Sequence, residues 1–177
     1  SSPVRYATGE LGVSAVDLAS DGFGVPWGHA RTFVNRQSHN ESVGNGFNWH
    51  VQQWPFLVET DQGDVAVQGS AMYALWFTKT AGVYMPDFGI NNRLIKDGDA
   101  EVFRLYDYDG SYMEFDDFTG MFRRRVDPAG NQVEVKSMHA NGYNFTEVER
   151  THTSDGSTTT EQYSYEYDDA TGDDLLE

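Results

Sequence analysis

The chain has 177 residues, the size of one domain or of one section of a larger assembly. Twelve Lys and Arg residues against 28 Asp and Glu residues give a net charge of −16, which repels nucleic-acid phosphates and anionic membrane surfaces. No apolar run approaches the ~20 residues of a membrane-spanning helix, and the chain has no cysteine for disulfides or thiolate metal sites. These features predict neither a nucleic-acid partner nor membrane insertion.

Alternation of apolar and polar residues, rather than helical periodicity, recurs along the chain. The clearest example is near the C-terminus, where Tyr163, Tyr165 and Tyr167 alternate with polar residues. Successive side chains of a strand point to opposite faces, so these tyrosines are predicted to share one face. The earlier predicted strands cover residues 11–18, 29–34 and 72–77, the last with Tyr73, Leu75 and Phe77 on one side.

Pairs of Asp or Asn with Gly separate these strands. Glycine accepts a positive φ and the Asp or Asn side chain bonds to the local backbone, so such pairs are typical of hairpin turns. The predicted fold is all-β: an antiparallel meander of successive hairpins that forms a twisted open or partly closed sheet. The residues expected to shape its turns are Gly22, Gly24, Pro26, Gly44, Gly46, Asp109, Gly110, Asp127, Gly130 and Asn131.

A short internal repeat is also present. Residues 115–120 and 167–172 share the pattern aromatic-Asp-Asp-x-Thr-Gly, and each copy follows a stretch of alternating aromatics. Hairpins that bury their faces against their neighbours are how repeat proteins build a core. We therefore expect the chain to be a fragment of a longer array of hairpins.

Several motifs, in this order, resemble the segment that opens the RHS region of RHS/YD-repeat proteins. A strand is followed by a Gly-x-Gly-x-Pro turn, an Arg-Thr-aromatic strand, a Gly-rich element ending in Trp, and units that lead into Tyr-Asp repeats. The stretches that carry the resemblance are SPVRYATGEL at 2–11, GFGVP at 22–26, RTFVN at 31–35, GNGFNW at 44–49, DGSYMEF at 109–115, DPAGN at 127–131 and YEYD at 165–168.

The resemblance implies a structural role in a large bacterial protein that is secreted or displayed on the cell surface. In that family a β-sheet shell encloses or presents a C-terminal passenger, so the implied partners are the rest of the parent chain and the passenger. It also implies one all-β region over 1–177, with an RHS-opening segment at 1–60, connecting strands at 61–100 and hairpins leading into repeats at 101–177. No catalytic residue is implied within the chain.

A carbohydrate-binding module is the alternative function. Aromatic side chains can line a sugar-binding face, although buried aromatics more commonly anchor a core. The candidate binding residues are Trp27, Trp49, Trp54 and Trp76.

Acidic turns add a candidate calcium site. Asp107 and Asp109 are two residues apart and would share one face of a strand, where their oxygens could bind Ca²⁺. The chain lacks a complete D-x-D-x-D-G loop, so solvated turn residues are the simpler interpretation. No cofactor other than calcium is predicted.

No pattern of an enzyme active site is found. The sequence has no Cys, no G-x-S-x-G motif, no P-loop and no HExxH pair. From these missing motifs we expect a protein that is not an enzyme. Because an open sheet leaves unpaired edges, an isolated fragment is expected to be able to dimerise through an edge strand.

Overall fold

The computed structural model describes residues 4–5, 10–20, 22–35, 48–71 and 73–167. The first sheet has four antiparallel strands in the order β1-β2-β3-β4. Its strands are β1 (Val4–Arg5), β2 (Glu10–Ser20), β3 (Trp27–Val34) and β4 (Trp49–Val51).

The second sheet has eleven antiparallel strands, and from the second of them onward each is hydrogen-bonded to the strand that precedes it in the sequence. This arrangement confirms the predicted all-β meander, and the sheet stays open. Its strands are β5 (Phe56–Glu59), β6 (Val65–Ser70), β7 (Tyr73–Thr80), β8 (Val83–Pro86), β9 (Arg93–Asp97), β10 (Val102–Tyr106), β11 (Tyr112–Asp116), β12 (Phe122–Val126), β13 (Gln132–Met138), β14 (Phe145–Ser154) and β15 (Ser157–Ser164).

Local side-chain hydrogen bonds form the turns of this meander. Asp127 accepts hydrogen bonds from the backbone N–H groups of Ala129 and Asn131, both at 2.9 Å, and Gly130 follows with a φ of +86°. The Asn131 side chain then accepts a hydrogen bond from the backbone of Thr153 at 3.0 Å, which ties the turn to β14. Related turns follow β10 and β11, at residues 107–110 and 116–120.

One face of the large sheet carries the core. Phe77, Phe103, Phe115 and Phe145 are fully buried in one apolar cluster, and Trp27 of the first sheet joins them. The tyrosines at 163, 165 and 167, which were predicted to share one face, are all buried there. The two sheets therefore share a core.

The three side chains that were predicted to share one side of β7 differ in burial. Leu75 and Phe77 are buried, but Tyr73 is 55% exposed. Tyr73 is the first residue of β7 and pairs with Ser70 of β6 beyond a break in the register of the two strands. Alternation in the sequence predicted on which side of the sheet each side chain lies, but not how deeply that side chain is buried.

The first strand of the large sheet also contacts a turn much later in the chain. The backbone N–H of Leu57 in β5 donates to the carbonyl of Gly120 at 2.8 Å, and Phe56 lies opposite Met121 in an isolated antiparallel bridge. Gly120 has a φ of +73°, and a Cβ atom placed on it would lie 1.9 Å from the carbonyl oxygen of Leu57. The sheet curls until its edge and this turn are in backbone contact.

Candidate functional site

The four tryptophans do not form one surface. Trp27 is buried, donates from Nε1 to the Tyr165 hydroxyl at 3.2 Å, and lies 6.4 Å from the Phe122 ring. Trp54 also packs on Tyr165, with ring centroids 5.2 Å apart. The structure thus brings Trp27 and Trp54 together around one tyrosine, as part of the contact between the two sheets.

The other two tryptophans lie elsewhere. Trp49 packs against Phe33 at 5.4 Å and beneath the guanidinium of Arg31 at 5.2 Å, both on β3. Trp76 is 43% exposed, on the face of β7 opposite the buried Leu75. Carbohydrate binding by these residues stays a prediction, and Trp76 is the most exposed of the four aromatic rings.

A small apolar cavity lies beside Trp54, where β4 and β5 meet the turns that follow β11 and β13. Its volume is about 210 Å³. Pockets for drug-sized ligands measure roughly 300–1,000 Å³, whereas a cavity of about 150 Å³ accepts benzene. The cavity therefore has room for about one aromatic ring. Its lining residues are His50, Val51, Trp54, Phe56, Leu57, Val58, Thr119, Met121 and Tyr143.

The predicted calcium ligands are engaged in turn structure. Asp107 accepts a hydrogen bond from the Asn92 side chain at 2.6 Å, and Asp109 accepts two from Ser111, at 2.7 Å and 2.9 Å. The hydrogen bonds from the Ser111 side chain and backbone lower the pKa of Asp109. Within the described ranges, no group of three or more His, Cys, Asp or Glu residues is placed to hold a metal ion. Calcium binding stays a prediction.

The structure describes some of the remaining predicted turn residues but not all of them. Gly24 lies in the turn between β2 and β3 with a φ of +60°, flanked by Gly22 and Pro26, and a Cβ atom there would lie 3.2 Å from the Cβ of His152. Gly44 and Gly46 lie outside the described residues.

A fully buried arginine joins the two sheets. Arg150 in β14 donates to the Ser20 carbonyl at 2.9 Å and to its hydroxyl at 2.8 Å, and it pairs with the carboxylate of Glu161 in β15. Its guanidinium also lies 4.3 Å from the centre of the Phe23 ring. Burial acts to raise the pKa of Glu161, but hydrogen bonds from Tyr163 and Arg150 outweigh it and lower the pKa. Sequence reasoning missed this residue.

The signal that could have revealed Arg150 is its position in the strand. Val148 and Arg150 are two residues apart in β14 and are both fully buried, so period-two alternation places the arginine on the core face. A charged residue at an inward position predicts a paired, hydrogen-bonded partner.

A row of ion pairs crosses the large sheet from β9 to β12. The buried carboxylate of Glu114 binds Arg104 at 2.7 Å and Arg124 at 2.5 Å, and Arg104 also binds Asp97 at 2.6 Å. Arg123 pairs with Asp116 at 2.5 Å. Two of the three consecutive arginines at 123–125 therefore pair with nearby carboxylates.

Replacing Glu114 by glutamine is expected to lower the free energy of unfolding by about 2 kcal/mol at neutral pH, because hydrogen bonds to charged groups contribute ~1.5–3 kcal/mol each. Burial acts to raise the pKa of Glu114, but the hydrogen bonds from Arg124 and Arg104 outweigh it and lower the pKa. This stabilisation is complete above the unfolded pKa of about 4.3 and is lost as the pH falls through the folded pKa.

The difference between wild type and Glu114→Gln in urea unfolding should therefore shrink steadily below pH 5. Glu166→Gln is the matched control, since Glu166 is exposed, and its effect is expected to stay near zero at each pH. A Glu114→Gln difference that is constant from pH 7 to pH 3 would contradict the assignment.

No helix in the described part of the chain has the length and apolar character needed to cross a membrane. No family model matches the chain. Sequence comparison finds relatives among curated proteins: 131 residues, 74% of this chain, are 27% identical to "tRNA nuclease WapA" of Bacillus subtilis (strain 168). The same length is 27% identical to "tRNA(Glu)-specific nuclease WapA" of Bacillus subtilis subsp. natto and 26% identical to "tRNA3(Ser)-specific nuclease WapA" of Bacillus spizizenii.

These names correct the prediction that the protein is not an enzyme, because all three relatives are named nucleases. The prediction rested on motifs missing from 177 residues. The match covers 5% of each relative, so the chain spans a small fraction of the curated relatives it matches. The chain is distantly similar to a short region of WapA nucleases.

Proposed function

We propose that this chain is a structural and interaction segment of a large RHS-type protein, where it contributes to a β-sheet shell that encloses or presents a passenger. The observation that carries the proposal is the match of most of the chain to 5% of much longer proteins named WapA. The RHS resemblance of the sequence motifs supports it independently. The proposed location, extracellular or at the cell surface, follows from the same resemblance.

The fold supports the interpretation of the chain as one segment of a β-sheet shell rather than as a closed unit. Eleven strands follow one another in sequence order, so a continuing chain could add strands without changing the existing pairing. The fully buried phenylalanines all lie on the core face. Paired charges such as Glu114 and Arg124 occupy other positions of the same strands. A sheet that forms part of a shell needs one apolar face, which packs inside the protein, and one face that can contact water.

The relatives are named for acting on tRNA. For the parent protein we propose a comparable nuclease activity, carried by a region other than this segment. A net charge of −16 supports this division, since it repels the phosphates of RNA. The proposed contribution of the segment is to hold and cover the region that contacts the nucleic acid.

An immunoblot of the native source with an antibody against this chain is the first test. We expect a protein far longer than 177 residues, and a product of the size of this chain alone, at every growth stage and with proteolysis inhibited, would contradict the proposal. The second test is limited proteolysis of the full-length protein. Deletion of the segment is expected to speed cleavage of the passenger region at least several-fold, and an unchanged rate would contradict a shell role.

A further inference from the structure

Two aromatic side chains protrude from neighbouring turns at one end of the large sheet. Phe88 lies in the connection between β8 and β9 and is 89% exposed, and Tyr108 lies in the turn between β10 and β11 and is 90% exposed. The turns are neighbours because β9 and β10 are paired strands, and both turns leave the sheet where β9 begins and β10 ends. Asn92 of the first turn also donates to Asp107 of the second at 2.6 Å, which ties the two turns together.

The backbone of Phe88 is strained, although its side chain is not buried. Its φ is +56°, in the left-handed region that bulky L-residues rarely adopt. Single apolar side chains scattered over a surface are ordinary, but strained residues cluster at functional sites. Aromatic side chains are also enriched where proteins contact each other. A strained, exposed ring beside a second exposed ring therefore indicates a surface that contacts a partner.

Carboxylates flank both rings. Residues 87–92 and 107–111, which we call the acidic aromatic rim, contain no Lys or Arg. Their acidic side chains are Asp87, Asp107 and Asp109. One precedes Phe88, and the other two lie on either side of Tyr108. The side chains that donate to the first two carboxylates are a hydroxyl and an amide, which are neutral and leave the negative charge in place. Arg93 follows the first range, and its guanidinium stacks on a tyrosine of β10.

Exposed rings and carboxylates side by side attract cations. An aromatic face attracts an ammonium or guanidinium group, and arginine stacks on rings as well as pairing with carboxylates. We propose that the acidic aromatic rim binds a basic, arginine-rich protein surface, which in the parent protein is the surface with which the passenger contacts RNA.

The choice of partner follows from the chemistry of RNA binding. A region that acts on tRNA needs Lys and Arg to bind the phosphates, and it stacks bases on aromatic or arginine planes. The rim offers carboxylates in place of the phosphates and rings in place of the bases. It thereby covers the RNA-binding surface of the passenger. The identity of the partner, though not the binding of a basic surface, rests on the proposed function.

The first test measures binding of a fluorescent deca-arginine peptide to the 177-residue chain by anisotropy. Combining Phe88→Ala with Tyr108→Ala leaves every charge in place. The pair is expected to weaken binding about fivefold or more, because an exposed cation–π contact is worth a factor of ~2–5 for each ring. Phe118→Ala is the matched control: this ring is 95% exposed and also follows an Asp, but it lies in a turn at the opposite end of the sheet. It should leave the affinity unchanged. Equal affinities for wild type and the double variant would overturn the proposal.

The second test places the same substitutions in the full-length parent protein and measures cleavage of tRNA. The double variant is expected to cleave several-fold faster than wild type, because the passenger surface is uncovered, whereas Phe118→Ala should cleave at the wild-type rate. A rate that the double variant leaves unchanged would overturn the assignment of the partner. A full-length protein that cleaves no RNA with or without the substitutions would instead contradict the proposed nuclease activity, and the peptide titration then decides alone whether the rim binds a basic surface.

Discussion

Replacing Gly120 by alanine is expected to lower the free energy of unfolding by about 3 kcal/mol or more. The left-handed conformation, with a φ of +73°, costs an L-residue roughly 1–2 kcal/mol. The added methyl group would also lie 1.9 Å from the Leu57 carbonyl oxygen. Because that atom belongs to the backbone of β5, relief requires moving the strand, and overpacking of this kind costs a further ~1–3 kcal/mol.

Gly142→Ala is the matched control for this substitution. Gly142 has a φ of +77°, close to that of Gly120, and a Cβ atom there would meet no atom within 4 Å. It therefore reports the conformational cost alone, about 1–2 kcal/mol. Chemical denaturation of both variants measures the difference, and equal destabilisation would show that the contact between β5 and the β11–β12 turn is not present in solution.

Replacing Arg150 by alanine is expected to cost about 2–5 kcal/mol, the range for truncating a large buried side chain to alanine, since Arg150 is fully buried while its partner Glu161 is 34% exposed. The substitution leaves the Ser20 carbonyl and the Glu161 carboxylate without the guanidinium, and it removes the cation from the Phe23 ring. Because these contacts join the turn after β2 to the large sheet, hydrogen exchange in residues 22–34 should rise most. Denaturation and exchange mass spectrometry provide the two measurements.

Arg123→Ala is the matched control for the arginine. Arg123 also makes an ion pair, with Asp116, but its side chain is 42% exposed, against 0% for Arg150. Exposed pairs contribute about 0–1 kcal/mol, so its loss should be small. If the two alanine variants were equally stable, or if exchange in residues 22–34 stayed at the wild-type rate in Arg150→Ala, Arg150 would not hold the sheets together.

The missing active-site motifs of this chain did not exclude relatives that are enzymes. The chain has no G-x-S-x-G motif, no P-loop and no HExxH pair, yet its relatives are named nucleases. The absence of a motif applies only to the 177 residues of this chain. The chain corresponds to 5% of each relative.

The sequence by itself determined the strands and their turns, because both depend on neighbours along the chain. Tyr163, Tyr165 and Tyr167 alternate with polar residues and share one face, which is buried, and Asp127 bonds to the backbone of its own turn. The alternation of side chains along a strand and the hydrogen bonds of Asp and Gly turns depend only on residues that are close in the sequence.

Only the tertiary structure decided which elements meet. The bond from Arg150 to Ser20 spans 130 residues of sequence, and the bond from Trp27 to Tyr165 spans 138. Neither partner carries a local signal of the other, since the contact arises when the small sheet packs on the curled large one. The same curl brings Gly120 to Leu57 and covers the β5 edge.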